Sequence, residues 1–331
     1  MTVALLAAGF AAVLGGAFLF TNAVEWAGTR LGLGVGAVGT VLAAVSTALP
    51  ESIIPVVAIL RGEADADEVA VGAIIGAPFM LATVAMALMG VAAFAFSRRR
   101  DQGAAVRLHR GIVRRDLAFF LVPFAAVLLL GLDAPHVLRY AAAPFLLLAY
   151  GAYVALTVRR GGATQADDEL PDLIVDPTKD VPPASPAIAL QFAVGLALII
   201  GGAHLIVEEL ITIAAHLEVS PLVLSLLVAP LATELPEKVN SFLWIREGKD
   251  SLAVGNVSGA MVFQSTLPVS IGVAFTNWQL DRFALVAGLL ALAGGAVAFW
   301  VLDVRARFSI GSVGVWAVLF ATFGAVVWLA S

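Results

Sequence analysis

A chain of 331 residues that is 61% hydrophobic and only 13% charged, with a mean hydropathy of +0.99, is too apolar for a water-soluble domain and reads as a polytopic membrane protein. It has no cysteine, so a disulfide framework and a thiolate metal centre are both excluded, and His109, His136, His204 and His216 lack the spacing of a zinc site. The net charge of −5 decides little, because the information lies in where the basic residues fall.

In chain order, an apolar segment from about Val3 to Val24 has no basic residue before it and is expected to be a retained first helix. Gly28 and Gly32 mark a tight connection into a second segment, Leu33 to Leu60, which carries Pro50 and Pro55. A third runs from Glu68 to Phe96 with Gly72, Gly76 and Pro78 in its first half. Prolines inside spans remove backbone donors and leave carbonyls that need internal partners or an ion. A basic stretch from Arg98 to Arg115 precedes segments at Asp116 to Leu130 and Val137 to Val158, completing five. The polar run from Arg159 to Pro186, rich in Asp and Pro, reads as a linker whose composition buries no core. Five more segments follow, at Ala187 to Ala215, Ser220 to Ile245, Leu252 to Phe275, Arg282 to Leu302 and Ile310 to Leu329.

The two sets are related. Thr47-Ala48-Leu49-Pro50-Glu51 returns as Thr233-Glu234-Leu235-Pro236-Glu237 at an offset of 186 residues, with Gly15-Gly16 over Gly201-Gly202 at the same offset. Beyond a short insertion, Ala70 to Gly76 matches Ala253 to Gly259. An internal repeat of this length predicts duplicated architecture. Five spans per half put the second half in the membrane upside down relative to the first. The expected fold is therefore all-α, with ten transmembrane helices in two inverted five-helix repeats (1–158 and 187–331), a linker at 159–186, and helices 2, 3, 7 and 8 broken. With the amino terminus outside, fifteen lysines and arginines fall in inside loops and only Arg61, Arg139 and Arg282 outside. That asymmetry predicts a cytoplasmic linker and a cell (inner) membrane location.

A carboxylate deep in hydrocarbon costs roughly 2.5 to 3.5 kcal/mol on insertion scales, so intramembrane acids usually mark ion or proton paths. Glu51 and Glu237, one per half, are candidate charged ligands for a hard cation such as Ca²⁺, which takes six to eight oxygens. Thr47 and Thr233, four residues earlier on the same helical face, are candidate further ligands or hydroxyls bonded back to their own helices. The repeated glycines suit either helix packing or close approach of backbone to an ion. His204, His216, Glu208 and Glu209 read as interfacial or loop-facing.

At these residues the chain resembles the Ca²⁺/cation antiporter superfamily, and most closely its sodium/calcium exchangers. The family pattern G-T-S-x-P-E followed by G-N-x-x-G-S-N-x-F-[ND] is matched in part by Ser46 to Glu51 with Gly72 to Leu81, and by Ala232 to Glu237 with Gly255 to Gln264. The resemblance implies exchange of Ca²⁺ for Na⁺ by alternating access, with the first and sixth helices sliding across the rest, and adds Glu234 and Gln264 to the ion-binding set. It also implies no cofactor beyond the transported ions, with the lipid bilayer but no nucleic acid as partner. Several family side chains are missing: the small hydroxyl after Thr is Ala48 or Glu234, the hydroxyl after the second Gly is Ala77 or Ala260, and the terminal acid or amide of the first half is Leu81. The sodium sites are thinned, and coupling is expected to be less Na⁺-dependent than in better-matched members. Glu234 is three residues from Glu237 and four from Lys238, so an ion pair with Lys238, a third anionic ligand and a coupled proton site all stand open. Proton-coupled exchange and a non-transporting scaffold or sensor are the alternative functions. No Ser/His, His-Glu-x-x-His or paired-Asp constellation argues for an enzyme.

Overall fold

The structure, a computed structural model, describes residues 2–31, 49–159, 172–176 and 183–330. Among these the fold is all-helical, and seven helices are long and apolar enough to cross a membrane. Helices satisfy every backbone group within the segment, which is what hydrocarbon demands. The first part contains α1 (Thr2–Arg30), α2 (Leu49–Arg61), α3 (Ala64–Met80), α4 (Met86–Ala95), α5 (Arg110–Leu130) and α6 (His136–Arg159). The second contains α7 (Ser185–Leu217), α8 (Pro221–Thr233), α9 (Leu235–Arg246), α10 (Asp250–Gln264), α11 (Leu267–Phe275), α12 (Arg282–Phe299) and α13 (Ile310–Ala330).

Two of the expected breaks are present. Helix α8 gives way to α9 at Glu234, whose backbone at φ −88° and ψ 7° leaves the helical basin. Helix α10 gives way to α11 across Ser265 and Thr266, the latter at φ −123° and ψ −66°. Pro236 and Pro268 sit in the first turn of each restarted helix, where a missing amide hydrogen costs nothing. The third expected break is a correction. Helix α3 continues through Pro78 and a π turn at Leu81–Ala85 into α4, so the segment widens by one turn instead of parting. The corresponding stretch of the second segment, with Thr47, lies outside the described residues.

Helix α3 is the most deeply buried span and packs against α2, α8 and α12. Its glycines show why. A Cβ on Gly72 would stand 2.4 Å from the Leu222 carbonyl oxygen of α8, and one on Gly76 2.2 Å from that of Leu226. The choice left open between packing and ion approach thus falls to packing for this pair. Helices α1 and α7 lie together along their length by the same device, with Gly9 against Gly202 and Gly16 against Gly195.

Outside the spans, the loop after α4 is fastened to the start of α10. Arg100 Nη2 donates to Asp250 Oδ1 at 2.5 Å, and Gln102 Nε2 and the Arg107 amide both donate to Oδ2 at 2.9 Å. Arg100 and Asp250 are fully buried, so this part of the arginine cluster is structural. The expectation that the 159–186 linker buries no core is also corrected. Leu173 packs in a small cluster with Ala23, Trp26 and Ile188. The Val175 amide donates to Gln191 Oε1 at 3.0 Å, while Gln191 Nε2 donates to the Leu19 carbonyl and to Asn22 Oδ1. Leu173, with Val175 packed beside it, and the Gln191 amide help anchor residues 172–176 to α1 and α7, which the average polarity of the linker concealed.

Candidate cation site at the helix break

Glu51 lies in the first turn of α2, beside Pro50, and is buried. Neither of its carboxylate oxygens has a hydrogen-bond partner. It lines a cavity of about 10 Å³ with Ile54, Ala73, Ala77, Ala229, Pro230 and Thr233, the room that one water molecule or one stripped cation takes. The cavity thus joins a carboxylate of the first part of the chain to the end of α8 in the second. Glu51 lies within electrostatic reach of Glu237, Glu234 and Lys238.

Glu237 is in the first turn of α9, three residues beyond the break, and its Oε2 is buried without a donor. Its backbone carbonyl accepts from Asn256 Nδ2 at 3.3 Å, and Asn256 also donates to Ser241 Oγ at 3.1 Å. This ties α9 to α10 behind the carboxylate. Thr233 faces the same cavity, but its hydroxyl donates to the Ala229 carbonyl at 3.1 Å, the back-bonded alternative. Its contribution to the cavity in this conformation is a hydroxyl oxygen that can still accept.

Glu234 resolves differently from a free third ligand. Its Oε2 accepts from Lys238 Nζ at 2.6 Å and its Oε1 from Gln264 Nε2 at 3.0 Å, with all three side chains buried. Lys238 Nζ donates in addition to the Pro230 carbonyl at 3.0 Å. Both Glu234 oxygens are therefore engaged, because a lysine one helical turn away brings the opposite charge that a buried carboxylate requires. Gln264 contributes its amide to this pair and leaves Oε1 buried without a donor. Among the described residues no three His, Cys, Asp or Glu side chains gather as a preformed metal cage.

Around the break, the buried acceptors without donors are thus both oxygens of Glu51, Oε2 of Glu237 and Oε1 of Gln264; elsewhere among the described residues Glu209 Oε2 and Asp303 Oδ1 are in the same state. Native proteins rarely leave such atoms unsatisfied, and an array of oxygens with no hydrogens directed at it is an environment for a hard cation.

Two further acids are buried where the sequence reading did not place them. Asp116, the expected start of a span, is buried and accepts from Ser258 Oγ at 2.9 Å and from Arg115 Nη2 at 2.8 Å. The Arg115 guanidinium stands 5.0 Å from the Tyr153 ring centre, so the group binds α5 to α6 and α10. Glu209, expected near the interface, is buried on α7. Glu208 and His204, within the same helix, are exposed.

The chain is an all-helical bundle with buried carboxylate and amide oxygens near an interrupted helix, although Glu237 and Gln264 are not among the residues that line the Glu51 cavity. The chain belongs to the sodium/calcium exchanger protein family, whose model matches residues 1–159 and 187–330. Among curated proteins it is 24% identical over 296 residues to inner membrane protein YrbG of Escherichia coli, covering 88% of this chain and 85% of that one. It is 26% identical over 155 residues to a protein bearing the name antiporter CaxA in Alkalimonas amylolytica, a match spanning 46% of this chain and 48% of CaxA. Among solved structures, the H⁺/Ca²⁺ exchanger CAX superposes with a TM-score of 0.71 at 19% identity, covering 98% of this chain and 81% of CAX. The sodium-calcium exchanger NCX_Mj superposes at 0.59 and 16% identity, covering 98% and 97%. These likenesses show the fold.

Proposed function

We propose that the chain is a secondary antiporter that moves Ca²⁺, or a cation of similar size and charge, across a cell (inner) membrane in exchange for Na⁺ by alternating access. The observation that carries this reading is the set of buried acceptors without donors at Glu51, Glu237 and Gln264. Two negative charges from the two halves of the chain match one divalent cation, and carbonyl and amide oxygens complete its shell without further charge. Membership of the sodium/calcium exchanger family supports the same cargo. Under this reading the bundle has ten spans in two inverted repeats, the amino terminus outside and the 159–186 linker in the cytoplasm. The distribution of basic residues along the sequence supports that orientation.

Proton coupling is the second reading, and one observation favours it. The positions that carry small hydroxyls or an acid in the family pattern are Ala48, Ala77, Ala260 and Leu81 here, while Glu51 retains unpartnered carboxylate oxygens able to take either a metal ion or protons. The test is Ca²⁺ flux in proteoliposomes with a Na⁺ gradient or a pH gradient imposed alone. Flux driven by the Na⁺ gradient supports the first reading, and flux driven only by the pH gradient replaces it with the second. Absence of Ca²⁺ movement under both overturns the cargo.

A further inference from the structure

Lys238 has no counterpart in the first half of the chain, and neither do its partners. At the offset of 186 residues that pairs Glu51 with Glu237, Glu234 falls on Ala48 and Lys238 on Ser52. At the offset of 183 that pairs the glycine motifs, Gln264 falls on Leu81. The three side chains that form one hydrogen-bonded unit in the second half are therefore uncharged or apolar in the first. Carboxylate and ammonium occur as a set. Among the described residues, Lys238 is also the only buried lysine.

What the ammonium touches is equally particular. Nζ rests on Glu234 Oε2 at 2.6 Å and on the Pro230 carbonyl at 3.0 Å. That carbonyl belongs to the last turn of α8, the negative end of the helix dipole, and Pro230 also lines the Glu51 cavity. A carboxylate plus carbonyls from an interrupted helix is the ligand set on which transporters hold a monovalent cation. An ammonium carries the same unit charge and, as a donor only, donates to the same oxygen neighbours.

We propose that Lys238 is a tethered cation: its ammonium fills a monovalent-cation subsite formed by Glu234 and the Pro230 carbonyl, so that no free ion enters there. Exchange is then confined to the free oxygens of Glu51, Glu237 and Gln264, and one coupling ion that an open subsite would admit is replaced by the protein's own charge. Gln264 acts as a positioning residue, holding the second Glu234 oxygen. The inference rests on the reading of this region as a cation site, and its test is separable from the test of that reading.

The experiment measures thermal unfolding of the purified full-length protein without Ca²⁺, in sodium chloride and in choline chloride at equal ionic strength. It compares wild type, Lys238→Met and the double variant Lys238→Met with Glu234→Gln. Expected is an upward shift of the unfolding temperature specific to Na⁺ that is larger in Lys238→Met than in wild type and returns to the wild-type value in the double variant. Lys238→Met that folds in sodium and not in choline is the same result in stronger form. A folded Lys238→Met with no added Na⁺ response, or with one that survives Glu234→Gln, overturns the subsite. So does Lys238→Met that unfolds in both salts while the double variant folds, since Glu234 then accepts no free ion. Loss of Ca²⁺ flux in wild-type proteoliposomes would overturn the cargo reading, whereas the Na⁺ comparison reports on the Lys238 subsite by itself.

Discussion

Replacing Gly76 by alanine perturbs the contact that sets α8 against α3, and its consequence can be worked from the distances. The new Cβ would stand 2.2 Å from the Leu226 carbonyl oxygen and 2.8 Å from its carbonyl carbon and Cα, all backbone atoms that no rotamer change can move. Restoring an ordinary contact of 3.4 Å requires α8 to retreat by about 1.2 Å. Alanine gains roughly 1 kcal/mol over glycine in a helix, whereas overpacking a tight interface costs typically about 1 to 3 kcal/mol. The clash is backbone against backbone, so the upper part of that range applies and Gly76→Ala should destabilise by about 1 to 2 kcal/mol net. The functional loss should be larger than the stability loss. Ala229, Pro230 and Thr233 ride on α8 and line the cavity with Glu51, and Ca²⁺–oxygen bonds of about 2.3 to 2.6 Å do not survive a displacement of that size. Chemical denaturation in detergent reads the first effect and Ca²⁺ flux at matched protein density the second. Gly151→Ala is the control, because no described atom lies within 4 Å of its Cβ position and the helical gain acts there unopposed. Wild-type stability and flux in Gly76→Ala would refute the packing argument.

Other consequences follow from the same geometry. Glu51→Gln and Glu237→Gln should each abolish Ca²⁺ exchange while leaving the protein folded, since an amide supplies no charge to the metal; normal flux in either variant removes that residue from the site. Asp250→Ala should destabilise by about 3 to 5 kcal/mol, because it strands the fully buried Arg100 guanidinium, and a denaturation midpoint within error of wild type would contradict this. A cysteine introduced at Thr164 should react with an impermeant reagent only from the cytoplasmic side. Labelling of intact cells from outside would reverse the topology.

Part of this protein is legible in its sequence because the membrane imposes a simple code. Long apolar runs, the repeated Thr-x-Leu-Pro-Glu and the cluster of arginines from Arg98 to Arg115 required no tertiary information, since hydrocarbon length, a duplicated motif and charge clustering are properties of the linear chain. Glu51 and Glu237 stood out for the same reason: an acid beside a proline in an apolar segment is too costly to be incidental. The interruption at Glu234 was likewise visible, because Pro236 cannot donate within a continuous ladder. Pro78 carried the same signal and did not break its helix, as the π turn at Leu81–Ala85 absorbs the change of register within a nearly wholly buried span.

Tertiary structure alone decided what the polar side chains do once the helices meet. Spacing permitted Glu234 to be a ligand, a proton site or half of an ion pair, and the choice depended on Gln264 arriving from α10 and on the Pro230 carbonyl turning toward Lys238. Gly72 and Gly76 became packing glycines only because the α8 backbone passes within reach of them. Asp116 acquired its partner Ser258 across 142 residues of chain, and Asp250 its partner Arg100 across 150, separations over which sequence pattern carries no signal. Linear patterns report the cost of placing a group in hydrocarbon. Which neighbour offsets that cost is a matter of distance in space, and only the packed helices set it.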